Sequence, residues 1–397
     1  MKTEDGNEAT QAILESATRI ASAEGLAGIT VRGVASAAKV APSAVIYYFQ
    51  TVGGLLSAVH RHVAGMLETW RERTLQALDD PSTRLLSAEA LSVAALSSLI
   101  AEQGLQVILQ QDLHRAAMRK TVTLADPPMA AIRARERFWQ RLLECHRLSP
   151  EQVRVRAMVA EGLLPFVLLD RVHLRQTALI AAVMRRLELR LSRRPVDAVR
   201  ADPVLVREAR APEMPRGKRL LVEAAIRVIG QEGLSQLTHR KVAAEAGLSL
   251  ASTTYFYASK DALIDDAFFQ MQHVAVNSVI SADRPRNQFL SSILLDEAGE
   301  ERWEMAAMTE LNRAAIRSAR HDGLARTLRQ VRGVDGMRWL RAHGHATADH
   351  LDGILWSAAT TVLGEEALCL PPSERRAFLD QETVRILEAL FGAECAT

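Results

Sequence analysis

The sequence predicts an all-α fold built twice in one chain, and three observations carry that prediction. The composition is dominated by Ala, Leu, Arg and Glu and is only 5% aromatic, a mixture that favours helices over strands. Residues 12–55 align without a gap with residues 220–263, so the chain contains an internal repeat. Between the copies, residues 192–217 carry Pro195, Pro203, Pro212 and Pro215 among many charges. That stretch reads as a linker, because proline stops helices and few of its side chains could be buried.

The 397 residues leave room for two to three domains. A net charge of only +2 means that any nucleic-acid surface must be a local patch. Cys145, Cys369 and Cys395 have neither paired nor metal-ligating spacing, which suits a reducing cytosol. The first ten residues are polar and acidic, unlike a signal peptide. No uninterrupted apolar run approaches the roughly 18 residues of a membrane helix. The expectation is a soluble, cytoplasmic protein with no membrane contact and no cofactor.

The repeat is dense. Its matches include Glu15/Glu223, Ala17/Ala225, Arg19/Arg227, Glu24-Gly25-Leu26/Glu232-Gly233-Leu234, Thr30/Thr238, Arg32/Arg240, Val34-Ala35/Val242-Ala243, Ala38/Ala246, Tyr47/Tyr255 and Leu55/Leu263. It continues more faintly in residues 113–119 against 311–317, then in Trp139/Trp339 and Arg141/Arg341, with a slip that places an insertion in a loop. The whole subunit is therefore duplicated. The expected domains are 10–57 and 218–265 as N-terminal domains, 58–191 and 266–397 as helical domains, and 192–217 as the linker, with the boundary near residue 205.

Each copy opens with an amphipathic helix, marked by Ile13, Ala17, Ile20 and Ala21 in the first and Leu221, Ala225, Val228 and Ile229 in the second. Gly25 and Gly233 are expected to end these helices in the left-handed conformation. Thr30 and Thr238 are placed as N-caps of the next helix. Ile29 with Val34, and Leu237 with Val242, form hydrophobic staples around those caps. That helix ends near Ala38 or Ala246. In the second copy Gly247-Leu248-Ser249 turns into a short helix ending at Tyr255-Phe256-Tyr257. Two short helices across a tight Gly-containing turn are the helix-turn-helix geometry, whose second helix enters the major groove.

The segment 224–263, with Thr-x-Arg-x-Val-Ala, Ala-Gly-Leu-Ser, Tyr-Phe-Tyr and Ser-Lys-Asp-Ala-Leu, resembles the DNA-binding domain of the TetR family. Residues 17–55, with Tyr47-Tyr48-Phe49, resemble the same domain. The resemblance implies that Leu250, Ala251, Ser252 and Thr254, and in the first copy Pro42, Ser43, Ala44 and Ile46, face base edges. Hydroxyls suit either base edges or phosphates, whereas Ala, Pro and Ile offer only apolar contact, for example to a thymine methyl. Tyr47, Tyr255 and Lys260 are assigned to phosphates. Thr30, Arg32, Thr238, Arg240 and Lys241 belong to the same DNA-facing set, although for Arg32 and Arg240 a solvated helix face remains the alternative. Val34, Val45, Phe49, Val242, Thr253 and Tyr257 read as core.

The copies are unequal. Lys39 replaces Gly247 at the turn, where a Cβ resists the left-handed conformation. Ala41 replaces the capping Ser249, although Pro42 suits the first helical position. Val52 replaces Lys260, and Gly53-Gly54 is expected to loosen the following helix start. Residues 216–265 carry Arg216, Lys218, Arg219, Arg227, Arg240, Lys241 and Lys260 against five acids, whereas residues 10–57 carry Arg19, Arg32 and Lys39 against Glu15 and Glu24. Phosphate neutralisation supplies much of the affinity for DNA, so the first reading head is expected to bind more weakly but still to function.

By the resemblance, the remaining helices bind a small, often apolar effector and supply a dimer interface. Each copy ends in two strong helical patterns, over 150–170 and 173–191, then over 347–368 and 373–391. Stripes through Ala160, Leu163, Leu164, Val167 and Leu168, and through Ile354, Leu355, Ala358, Thr361 and Val362, would be buried best in a four-helix bundle. Covalent linkage makes that pairing an intramolecular pseudo-dimer. It leaves open whether two chains associate further. Effector-contact candidates are Trp70, His114, Met118 and Trp139, with Trp303, Met308, Asn312 and Trp339 as counterparts; core packing is the alternative for each. His343, His345 and His350 read as solvated residues around a glycine-bearing loop, and no metal-binding motif is present. No nucleophile–base pair or phosphate-binding glycine loop points to an enzyme. The expected function is a DNA-binding regulator, a repressor released by a small molecule from an asymmetric or imperfectly palindromic double-stranded operator. The rival is an effector-binding or interaction module whose DNA heads have decayed.

Overall fold

Helix-favouring composition yields eighteen α-helices among the described residues, which are 2–196, 214–280 and 285–392 of the computed structural model. Cys395, Pro203, Pro212 and the expected boundary at 205 lie outside them. Extended pairing among the described residues is confined to an isolated antiparallel bridge between Leu295 and Glu301. The chain divides into two units, Met1–Ala157 and Met158–Thr397, with the division inside one helix.

The first unit contains α1 (Lys2–Glu24), α2 (Val31–Ala38), α3 (Pro42–Phe49), α4 (Val52–Gln76), α5 (Ala88–Met118), α6 (Pro128–Leu142) and the start of α7 (Pro150–Leu168). Helix α1 begins well upstream of the repeated block. Its buried face, Ile13, Ala17 and Ala21, packs across α2, α4 and α5. Along α4 and α5 the core continues through Val59, Val63 and Leu67 against Leu96, Ile108, Leu109 and Leu113. By length and mean hydropathy alone, α5 is one helix among the described residues that could cross a membrane, although its apolar run is interrupted. Glu102, Gln103 and Gln106 interrupt it, and half of the helix's most apolar stretch is buried within the fold.

The second unit takes the rest of α7 and adds α8 (His173–Leu191), α9 (Arg216–Glu232), α10 (His239–Glu245), α11 (Leu250–Phe256), α12 (Lys260–Ile280), α13 (Phe289–Leu294), α14 (Trp303–Arg317), α15 (Asp322–Val331), α16 (Val334–Ala342), α17 (His350–Leu368) and α18 (Pro372–Phe391). Helices α9 to α12 repeat α1 to α4 in order and register, down to a 3₁₀ turn at Leu26–Gly28 and Leu234–Gln236. The later helices diverge. Where the first copy has the single α5, the second has α13, the bridged turn at Leu295–Glu301 and α14. Helix α8 packs against both α17 and α18, and α17 packs on α18. On α7, a Cβ at Gly162 would collide with the Ala358 carbonyl of α17, so glycine is what permits this close crossing. Leu163, Leu164 and Val167, and Ile354, Leu355, Ala358 and Val362, are buried.

Candidate nucleic-acid interface

In the second copy each helix boundary has a named cause. Thr238 caps α10, its Oγ1 accepting from the Lys241 N–H at 3.2 Å. Ser249 caps α11, its Oγ accepting from the Ser252 N–H at 3.1 Å. Between them Gly247 has φ +65°, and a Cβ there would meet nothing within 4 Å, so backbone conformation rather than space selects the glycine. Gly25 and Gly233 also have positive φ, but ψ near 178° and 159° places them outside the left-handed helical region expected for them. The chain leaves α1 and α9 by an extended step open essentially to glycine alone.

One face of the motif is core. Val242, Thr253 and Tyr257 are buried, and Phe49, read as core in the first copy, is only half-buried. The Tyr257 hydroxyl donates to Asp266 at 2.8 Å. Burial first, and then Asp266, push its pKa above the ordinary phenol value. Lys218 pairs with the same carboxylate at 2.7 Å, with its ammonium over the Tyr257 ring. This triad ties α9, α11 and α12 together. It was not read from the sequence, since only the fold brings Asp266 to Tyr257.

The opposite face is free. Leu250, Ala251, Thr254 and Tyr255 are exposed, Tyr255 at 82%. Its ring is held edge-on to Phe256 at 5.0 Å, and Tyr47 is held in the same way by Tyr48 at 5.1 Å. Ser252 is half-buried, with its Oγ 2.9 Å from that of Ser249. Thr254 donates back to the Ala251 carbonyl at 3.0 Å, which leaves it able to accept. Arg240 and Thr238 are exposed, while Lys241 is engaged by Glu232. Lys260 is half-buried and donates to the Leu234 carbonyl at 3.0 Å; burial and then Arg320 lower its pKa.

The first copy builds the same motif from poorer parts. Thr30 caps α2 by accepting from the Gly33 N–H at 3.0 Å. Lys39 adopts the left-handed conformation, φ 56° and ψ 38°, despite its Cβ, so the turn is kept at a local energetic cost. Ala41 gives α3 no side-chain cap, and Pro42 occupies its first turn. The start of α4 is not loosened by Gly53-Gly54, as the sequence suggested. Thr51 caps it at 2.9 Å, and Gly54 leaves space for the Phe49 carbonyl oxygen. Pro42, Ser43, Ile46, Tyr47 and Arg32 are exposed and Ala44 is half-buried.

The effector-contact candidates separate by environment. Trp70 is buried, donates to Ser98 at 3.0 Å and packs on Phe138, which meets Trp139. His114 and Met118 are half-buried, and His114 Nε2 lies 3.1 Å from His60 Nε2, a partner the sequence did not suggest. Trp303 and Met308 are half-buried, and Asn312 has a buried Oδ1 without a hydrogen-bond partner. Trp339 is fully buried in a stack with Phe289, His343 and Trp356. His343, His345 and His350 are thus not simply solvated: all three are half-buried, and His345 packs on Phe391. Aromatic packing on Trp339 and Phe391 explains the difference for His343 and His345.

Capped helices across a tight turn, with one face in the core and the other presenting exposed tyrosine and small side chains, define a helix-turn-helix DNA-binding protein. The family model for bacterial regulatory proteins, tetR family, matches residues 13–59 and again residues 221–267. The chain carries two tandem copies of the tetR-family DNA-binding domain, which marks it as a DNA-binding transcriptional regulator. None of the curated proteins compared with it matches.

Proposed function

We propose that the chain is a cytoplasmic repressor whose two reading heads bind one operator and are released by a small, largely apolar effector. In this reading 10–57 and 218–265 are the heads, 58–191 and 266–397 the effector-binding and dimerisation domains, and 192–217 the linker. The two copies act as an intramolecular pseudo-dimer. The observation that carries it is the free face of α11, where Leu250, Ala251, Thr254 and Tyr255 are exposed while Thr253 and Tyr257 are locked inside. Leu250, Ala251, Ser252 and Thr254, with Pro42, Ser43, Ala44 and Ile46, read bases. Tyr47, Tyr255 and Lys260 hold phosphates, supported by Thr30, Arg32, Thr238, Arg240 and Lys241. For Lys260 this requires leaving the Leu234 carbonyl or using a second of its three donors. Effector contacts fall to Trp70, His114, Met118, Trp139, Trp303, Met308, Asn312 and Trp339. Among these, Asn312 is singled out by its unpartnered oxygen.

The test is footprinting of the chain on DNA upstream of its own coding region across a salt series. A protected site that weakens steeply with salt is expected. No protection at low salt with folded protein would leave the rival, an effector-binding or interaction module with decayed heads. That rival draws on the strained Lys39 and uncapped α3 of the first copy.

A further inference from the structure

Helix α8 meets α17 through a buried network of charges. Arg186, 3% exposed, donates to both carboxylate oxygens of Asp349 at 2.8 and 2.7 Å and to Asp352 at 2.9 Å. Arg190 forks onto both oxygens of the fully buried Asp352 at 2.8 and 2.6 Å, and its guanidinium lies over the Phe391 ring. The same two carboxylates form the capping box of α17. Asp349 accepts from the Asp352 N–H at 3.2 Å, and Asp352 accepts from the Asp349 N–H at 3.1 Å. Two arginines thus balance two aspartates, with most of their hydrogen-bonding groups committed.

The internal repeat tells what stands at the equivalent positions. Helix α7 opens on its own capping box, in which the Gln152 N–H donates to Ser149 at 3.1 Å and the Ser149 N–H to Gln152 at 3.0 Å. Ser149 therefore corresponds to Asp349, and Gln152 to Asp352. Along α8 and α18, Arg185, Leu187 and Glu188 match Arg385, Leu387 and Glu388. In that register Arg186 and Arg190 correspond to Ile386 and Leu390, both buried. Each charge is confined to one copy: both arginines to the first, both aspartates to the second.

We infer that this network chooses the partner: it makes the two copies pair with each other and prevents either from pairing with its own kind. The inference rests on the pseudo-dimer reading above. First copy against first would bury Arg186 and Arg190 opposite the neutral Ser149 and Gln152. Second against second would bury Asp349 and Asp352 opposite Ile386 and Leu390. A buried ion without a counter-charge is strongly unfavourable, and two-fold symmetry would impose the penalty twice. The repulsive element is thus as specific as the attractive one.

The test uses the full chain with a protease site introduced between residues 196 and 214, folded intact, cut, and followed by sedimentation on dilution. The cut wild-type protein should remain a one-to-one pair of fragments. Arg186→Ile with Arg190→Leu, which strands both aspartates, should weaken that pair about a hundredfold or more. Adding Asp349→Ser and Asp352→Gln to those two changes removes every charge. This fourfold variant should restore association while allowing fragments to scramble into same-copy pairs, detected by mass. Undiminished pairing of the double variant, or a fourfold variant that stays strictly one-to-one, overturns the inference while leaving the pseudo-dimer intact. Separation of the cut wild-type fragments overturns both.

Discussion

Thr30 and Thr238 cap their helices in the same way, but the turns that follow do not cost the same. Gly247 enters the positive-φ region freely, whereas Lys39 holds it with a Cβ, and left-handed backbone costs a side-chain-bearing residue about 1–2 kcal/mol. Lys39→Gly should therefore stabilise the first unit by about 1 kcal/mol or slightly less, because glycine also loses more entropy on folding. Gly247→Ala should destabilise the second unit by a similar amount, although its Cβ would meet nothing. Urea unfolding with unchanged slope is the measurement. Equal sign for the two substitutions would contradict the strain assigned to Lys39.

At the scale of elements, α4 and α5 are joined by the contact between His60 and His114. Burial lowers the His60 pKa below its ordinary value of 6.5, with Asp126 opposing part of the shift. The unfolded chain then takes up its proton at a higher pH than the folded chain. Stability contributed by neutral His60 is fully present above about pH 6.5 and is lost as pH falls from there toward the folded pKa. The first unit should be less stable at pH 5.5 than at pH 7.5, and His60→Gln should reduce that difference. An identical pH profile for the variant would show that His60 does not titrate in this window. The reading heads were legible in the sequence because caps, turn glycine and apolar spacing are local signals. His60 against His114, Tyr257 against Asp266 and Arg186 against Asp349 were not, because each joins residues of separate elements that only the fold brings together. The same limit hid the break between α13 and α14 and the aromatic stack around Trp339.

At the scale of the whole molecule, the duplication allows the two heads to drift apart in a way that identical subunits cannot. Two separate chains present the same recognition helix twice and so select a palindrome. On the proposed reading, this chain presents Pro42, Ser43, Ala44 and Ile46 at one head and Leu250, Ala251, Ser252 and Thr254 at the other. Selection from random DNA should therefore return two unlike half-sites, with centres about 34–36 Å apart or a multiple of that. The half-site read by the second head should be the better defined, because it brings two hydroxyls, Ser252 and Thr254, against Ser43 alone in the first. Tyr255→Phe with Lys260→Ala should weaken binding more than Tyr47→Phe does. Converting the first head with Pro42→Leu, Ser43→Ala, Ala44→Ser and Ile46→Thr should shift the selected site toward a palindrome of the second half-site. If the wild-type chain already selects a perfect palindrome, with two chains each bound through the second head, then the two copies do not act as one reader.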